Sequence, residues 1–246
     1  MVVSFPMYER KETHLAILHF WNLIQKNLKK NGFLAPYELK LGVDETSIWM
    51  DSNLVLSDTC GMPFRNFLHK KVKIVGTLDY GLDNCPPGYY RSCLVIRKSD
   101  TRKRLANFQE AVFSYNQNYS QSGFAAPLNY MKSLGLKFVN MRVSGSHLNS
   151  AIMVVNGEAD ITSLDGISWR LMQRYNKFTE KLKILCWTEP ATPSLPLITS
   201  LKNETNVIFD AVCEAIKELD TKNKDILSFH SIVNIPEKDY LAVKNP

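Results

Sequence analysis

No stretch of this chain is apolar enough for long enough to cross a bilayer as a helix. The most apolar early segment, residues 15–28, is broken by His19, Asn22, Gln25, Lys26 and Asn27, whereas a spanning helix needs about 20 mostly apolar residues. It reads instead as a packed amphipathic helix. Cysteine is scarce, and Cys60, Cys85, Cys93, Cys186 and Cys213 form no CxxC pair and no ligand spacing with histidine, which argues against a zinc site. Most read as buried thiols, although Cys60 and Cys85 fall in predicted loops where an oxidising compartment would let them pair. The sequence holds no low-complexity tract and no repeat of solenoid period, and its 11 glycines and 11 prolines are scattered, so neither a disordered nor a repetitive chain is expected. A GxSxG nucleophile elbow is missing, and so is a helix-turn-helix, which leaves hydrolysis weakly supported and nucleic acid without a reader.

What is present is a chain of 246 residues, enough for one large or two small domains with proper cores. No secretory signal opens it, because Met1 leads directly into the strand pattern Val2-Val3-Ser4-Phe5. The expected compartment is periplasmic or cell-surface if a leader has been removed, and cytoplasmic if Met1 is native. The formal net charge of +6 comes from dispersed Lys and Arg with short runs at residues 70–73 and 102–104. These read as solvated faces, yet the balance favours anionic partners through long-range steering.

Strand and helix patterns alternate along the chain. Residues 2–8 read as a strand, 12–30 as a helix with apolar Leu15, Leu18, Trp21, Ile24 and Leu28, and 39–42 and 54–58 as the next two strands. Thr59-Cys60-Gly61-Met62-Pro63 looks like a Thr-capped helix start. Residues 72–77 continue a sheet, 80–88 are a loop dense in breakers, and 89–97 form an extended apolar segment fit to cross between domains. A charged helix is expected at 101–108, a strand at 111–116, a helix at 124–134 closed by Gly135, and a strand at 138–143 with a helix at 148–156. Then come a strand at 160–165, a helix at 166–175, a strand at 181–187, a second crossover at 195–200, a long helix at 204–219 and a tail of helix and loop. The alternation implies an α/β chain with parallel sheets covered on both faces.

Chemistry is expected where strands hand over to helices, since ligands of open α/β sheets bind outside the strands' carboxyl ends. Tyr8, Asp58, Thr59, Tyr80, Ser120, Ser122, Gly123, Ser146, His147 and Asp165 all fall at such ends. A helix start leaves N–H groups unpaired and carries partial positive charge, so Ser120 and Ser122 with the Gly123 N–H suit an anion such as phosphate. Plain helix capping is the competing reading of both serines. His147 is an imidazole donating to a phosphoryl oxygen or a cap of its own helix. Asp165, a carboxylate beside an anion, points to a ligand that brings a proton or an amine, or else it caps the helix that follows.

Met7-Tyr8, Leu56-Ser57-Asp58-Thr59-Cys60-Gly61, Tyr89-Tyr90-Arg91-Ser92, Ser120-Gln121-Ser122-Gly123, Ser144-Gly145-Ser146-His147 and residues 159–165 together resemble the phosphate/phosphite/phosphonate-binding (PhnD-like) solute-binding proteins of ABC transporters. The likeness runs over roughly residues 2–200. It implies a two-lobed type II periplasmic-binding-protein fold, each lobe a mostly parallel sheet flanked by helices. Residues 1–90 with 194–246 would form one lobe and 91–193 the other, with two crossover segments as hinge. It further implies a small anionic phosphorus ligand, an ABC permease as partner, a monomer, and no cofactor or metal. On this resemblance Ser120, Ser122, Ser146 and His147 hold phosphoryl oxygens, Asp165 meets a distal or protonated group, and Tyr8, Asp58, Thr59 and Tyr80 line the facing lobe. The alternative from another class is a cytoplasmic enzyme on the same fold that acts on a phosphorylated metabolite.

Overall fold

The computed structural model describes residues 1–42 and 44–246. From the amino terminus it runs β1 (Val2–Ser4), α1 (His14–Lys30), α2 (Glu45–Trp49), β2 (Leu54–Asp58) and α3 (Gly61–Pro63), which continues as a π-helical turn over Phe64–Leu68. Next come β3 (Val72–Asp79), β4 (Tyr89–Tyr90), β5 (Ser92–Arg97), a 3-10 turn at Leu105–Phe108 and β6 (Val112–Tyr115). A second π-helical turn, Gln121–Ala125, leads into α4 (Ala126–Ser133), followed by β7 (Asn140–Val143), α5 (His147–Asn156), β8 (Ile161–Asp165) and α6 (Gly166–Tyr175). The remainder is a 3-10 turn at Lys177–Lys181, β9 (Leu182–Trp187), β10 (Thr192–Pro193), β11 (Pro196–Ser200), α7 (Thr205–Glu218), α8 (Thr221–Leu227), β12 (Ser231–Val233) and α9 (Glu237–Leu241).

The chain divides into two compact units. One comprises Met1–Asp83, Pro87–Tyr89 and Pro193–Ala242, and the other Asn84–Pro86, Tyr90–Thr192 and Val243–Pro246. The first contains a five-stranded sheet of order β1-β2-β11-β3-β12 and the second one of order β7-β6-β8-β5-β9, while β4 pairs with β10 in a two-stranded ribbon. Helices flank both sheets, so the α/β class of the sequence reading holds.

The strand directions correct that reading. Among the described residues, the parallel pairs are β1 with β2, and β6 with β7 and β8. β11 is antiparallel to β2 and β3, β12 to β3, and β5 to β8 and β9. Both sheets are therefore mixed. In each, the chain's arrival from the short β4 or β10 ribbon inserts an antiparallel strand among its neighbours. Burial of β5 and β11 was legible as apolar runs, but an apolar run carries no direction. β12, expected as helix or loop, reaches β3 because Gly76 has no side chain: a Cβ there would stand 2.8 Å from Ile232 Cδ1 and 3.0 Å from Phe209 Cδ2.

Other departures have local causes. Residues 39–42 form no strand. They touch β1 through Lys40, whose N–H donates to Val3 O at 2.8 Å and whose carbonyl accepts from Ser4 Oγ at 2.8 Å, and turn away at Gly42 with φ 60°. Asp44, whose carboxylate accepts from Ser47 N at 2.7 Å, starts an α2 that the sequence reading lacked. The helix expected at 101–108 shrinks to its last four residues, because Asp100 accepts from Arg102 N and, with Asp160, holds the Arg102 guanidinium. In α1 the buried face is Ala16, Ile17, Phe20, Trp21, Ile24, Asn27 and Leu28, and Leu15 is 78% exposed. Gly135 does take the left-handed conformation after α4, with φ 71°.

The core of the first sheet includes Trp49, Leu54, Phe64, Leu68, Ile198 and Tyr240. Tyr240 joins α9 to β3 through a buried hydrogen bond between its hydroxyl and that of Thr77. Tyr240→Phe leaves Thr77 without this partner in a dry site, so a loss of about 1–3 kcal/mol is expected in urea unfolding, with the slope unchanged.

Candidate functional site

The second unit gathers hydroxyls at the carboxyl ends of β6, β7 and β8. After β6 the chain turns into the π-helical segment, whose Ala125 N–H reaches back to Ser120 O at 3.0 Å. Ser120 caps this start by accepting from Gly123 N at 3.0 Å. Ser146 caps α5, accepting from Asn149 N at 3.1 Å. Both caps use the hydroxyl oxygen and leave each hydroxyl proton to give. His147 is the first residue of α5, where first-turn N–H groups lack intrahelical acceptors. Asp165 ends β8 and caps α6, with Oδ1 accepting from Ser168 N at 2.7 Å.

Three of these side chains meet. Ser122 Oγ lies 3.0 Å from His147 Nε2, and Asp165 Oδ2 lies 3.4 Å from the same nitrogen. His147 Nδ1 and Asn116 Oδ1 are buried atoms with no hydrogen-bond partner among the described residues. Burial pushes the His147 imidazole below its ordinary pKa, against the pull of the Asp165 carboxylate and the Ser163 carbonyl. Gly123 is required by close approach: a Cβ there would stand 1.9 Å from Asn116 Oδ1 and 3.1 Å from His147 Cε1.

A floor of buried hydroxyls fixes this arrangement. Ser163 Oγ donates to Ser122 O at 2.7 Å, Thr162 Oγ1 to Ser114 O at 2.8 Å, and Ser114 Oγ to Ser150 O at 3.2 Å. Ser144 shares a 2.6 Å hydrogen bond with Ser150 Oγ and donates to Tyr115 O at 3.1 Å. Ser114, Ser150, Thr162 and Ser163 are buried and each is hydrogen-bonded, which keeps the strand ends in register without charge. The sequence reading gave no role to Asn116, nor to Ser144 and Ser163, although both serines stand in its motifs. For Ser163 a signal existed, since it stands two residues before Asp165 on one strand and therefore on the same face.

In the first unit the other expected residues collect at the ends of β1, β2 and β3. The Tyr8 and Tyr80 rings pack edge to face with centroids 5.4 Å apart. Asp58 is buried, its Oδ1 accepting from Met7 N at 3.3 Å. Burial pushes its carboxyl up to about 8, with the Met7 N–H opposing and the charges of Glu45 and Glu9 adding. At neutral pH it therefore carries a proton and can donate. Thr59 N–H is held by Pro196 O at 3.1 Å, and its hydroxyl is buried with no partner among the described residues. Thr59 is not the helix cap expected of it, because Cys60 occupies that position and offers no side-chain hydrogen bond.

All five cysteines are free thiols. Among the described residues no group of His, Cys, Asp and Glu is arranged to hold a metal, and no helix is long and apolar enough to cross a membrane. A serine-hydrolase relay requires hydroxyl and carboxylate on opposite ring nitrogens. Here Ser122 and Asp165 share one.

The sequence model of the family described as ABC transporter, phosphonate, periplasmic substrate-binding protein matches residues 71–240. The chain belongs to this family. No curated protein sequence matches it significantly. Among solved structures, PhnD1 from Prochlorococcus marinus in complex with methylphosphonate is 18% identical with a TM-score of 0.71, covering 98% of this chain and 94% of that one. A Xanthomonas citri protein bound to chloride ion is 12% identical with a TM-score of 0.71, covering 97% and 92%. A binding protein component of an ABC phosphonate transporter from Pseudomonas aeruginosa is 15% identical with a TM-score of 0.66, covering 98% and 83%. At these identities the likeness is one of fold, the type II periplasmic-binding-protein architecture with its mixed sheets.

For this phosphonate-family chain two outcomes are expected. Gly123→Ala drives Asn116 and His147 from their places and costs about 1–3 kcal/mol in chemical unfolding. Asp58 holds a proton in the folded state that the unfolded chain has already lost, so its contribution to stability falls as pH rises from the ordinary carboxylate range to about 8. Subtracting the unfolding free energies of Asp58→Asn from those of the parent, measured from pH 5 to pH 9, should reveal this downward slope. A flat difference would show that Asp58 is ionised throughout.

Proposed function

We propose that this chain captures a small phosphorus oxyanion, phosphate, phosphite or a phosphonate, and releases it chemically unchanged. Capture serves delivery to an ABC permease. Binding by a monomer suffices, and no cofactor takes part. The observation that supports this reading most directly is the convergence of Ser122 Oγ on His147 Nε2 at 3.0 Å beside two serine-capped helix starts. Hydroxyls, imidazole and first-turn N–H groups all supply donors, and a phosphoryl group supplies three acceptor oxygens. Ser120, Ser122, Gly123, Ser146 and His147 are assigned to those oxygens. Tyr8, Asp58, Thr59 and Tyr80 of the first unit are assigned to the same ligand, to which the protonated Asp58 and the Thr59 hydroxyl, without a partner among the described residues, add donors.

Affinity then comes from preorganised donors in a dry site, with no bond made or broken. The single-nitrogen arrangement around His147 provides no relay for a nucleophile, which favours binding over catalysis. Calorimetry with methylphosphonate, phosphate, phosphite and 2-aminoethylphosphonate tests the proposal. One-to-one heats from at least one of them are expected, with the ligand recovered intact by mass spectrometry. Absence of heat from all four, or conversion of the ligand, overturns it. Ser122→Ala removes a donor common to every phosphorus ligand and should weaken each by about 1–3 kcal/mol.

A further inference from the structure

We propose that Asp165 is a positioning residue that acts through His147: it holds the ring at Nε2 and supplies the counter-charge that lets the imidazole take up one proton as a dianionic phosphoryl group binds. This rests on the functional reading above and replaces the expectation that Asp165 meets the ligand's distal group. Both carboxylate oxygens are engaged within the unit, Oδ1 with Ser168 N at 2.7 Å and Oδ2 3.4 Å from His147 Nε2. A carboxylate can only accept, so a neutral ring keeps its single proton on Nε2, between Asp165 and the Ser122 hydroxyl. Nδ1 is then a bare lone pair, buried and without a partner among the described residues.

A bare lone pair repels a phosphoryl oxygen, whereas a protonated Nδ1 donates to it. The imidazolium has two N–H donors and two anions to receive them, Asp165 and the ligand. One proton passes from solvent to Nδ1, and no covalent bond of the ligand changes. Burial keeps the free ring neutral, and the negative charge of Asp165 already opposes that effect. A second negative group beside the ring therefore raises its proton affinity further.

The segments that pack beside the ring present neutral side chains, and Arg91, whose carbonyl accepts from Gly166 N beside Asp165, pairs its guanidinium with Glu189. The segment after β6 presents neutral Ser122 and Gly123, and β6 is followed by neutral Asn116. On β5, Cys93 donates its thiol to Leu164 O, and burial and the charge of Asp165 hold its pKa well up. Lys177, Glu180 and Lys181 belong to the turn that feeds β9, whose start pairs with Arg97, and Arg97 in turn reaches Val154 O near the far end of α5. The site thus selects dianionic phosphorus oxyanions by coupling them to a proton.

The test is NMR of the full chain carrying labelled histidine rings, at pH 8, titrated with methylphosphonate and with inorganic phosphate; His147→Gln identifies the resonance. At saturation the His147 ring should move from neutral to imidazolium shifts. Asp165→Asn preserves the α6 cap, since Asn caps as well as Asp. In that variant the ring should stay neutral with ligand bound, and affinity should fall about tenfold or more. Its ratio of 2-aminoethylphosphonate to methylphosphonate affinity should match the parent. A parent ring that stays neutral at saturation overturns the inference, as does an Asp165→Asn variant that loses 2-aminoethylphosphonate selectively, which would place Asp165 on the ligand. If neither methylphosphonate nor phosphate binds the parent, this inference falls, whereas the functional reading falls only if phosphite and 2-aminoethylphosphonate fail to bind as well.

Discussion

His147 Nε2 is the point to which the second unit is tied. It stands 3.0 Å from Ser122 Oγ and 3.4 Å from Asp165 Oδ2, so one imidazole nitrogen links the segment after β6, the start of α5 and the end of β8. Those three segments reach it because β6, β7 and β8 run parallel and deliver their carboxyl ends to one edge. Ser163 pins the backbone of Ser122 from β8, and Gly123 leaves room for Asn116 and the ring together. Displacing any of these elements moves the others.

Donors dominate the arrangement, with the Asp165 carboxylate beside the ring and a cluster of ion pairs at the far pole. The Arg97, Asp160, Arg102 and Asp100 cluster lies at the amino end of β8, where Asp160 also accepts from Val112 N. At the carboxyl ends, burial keeps His147 neutral and Asp58 protonated. Neutral donors can meet an anion without the desolvation cost that paired lysines or arginines would add. It also ties occupancy to protons, because each of those two groups changes its donor capacity on titration.

Much of the fold was readable in the residues. β2 at Leu54–Asp58 and α6 at Gly166–Tyr175 coincide with their sequence expectations, because an apolar run bounded by turn residues and a 3.6-residue apolar stripe are local signals. The serine-glycine junctions at residues 120–123 and 144–147 were equally visible, since caps are written in adjacent residues. Strand direction was not, because burial on both faces looks the same for parallel and antiparallel neighbours, and β5 and β11 show this. For Asp165 the residues offered ligand contact or a cap of α6; the cap on Ser168 was legible, whereas the approach of Oδ2 to His147 depends on the fold. Asn116 escaped notice because its proximity to Gly123 depends on how the loop folds back over the strand end.

The measurement that bears most directly on this account is a crystal structure grown with methylphosphonate. The account predicts phosphonate oxygens within hydrogen-bond distance of the Ser122 hydroxyl, the His147 ring and the first-turn N–H groups of α5. A methylphosphonate bound away from all three, with Ser122 still hydrogen-bonded to His147, would contradict it.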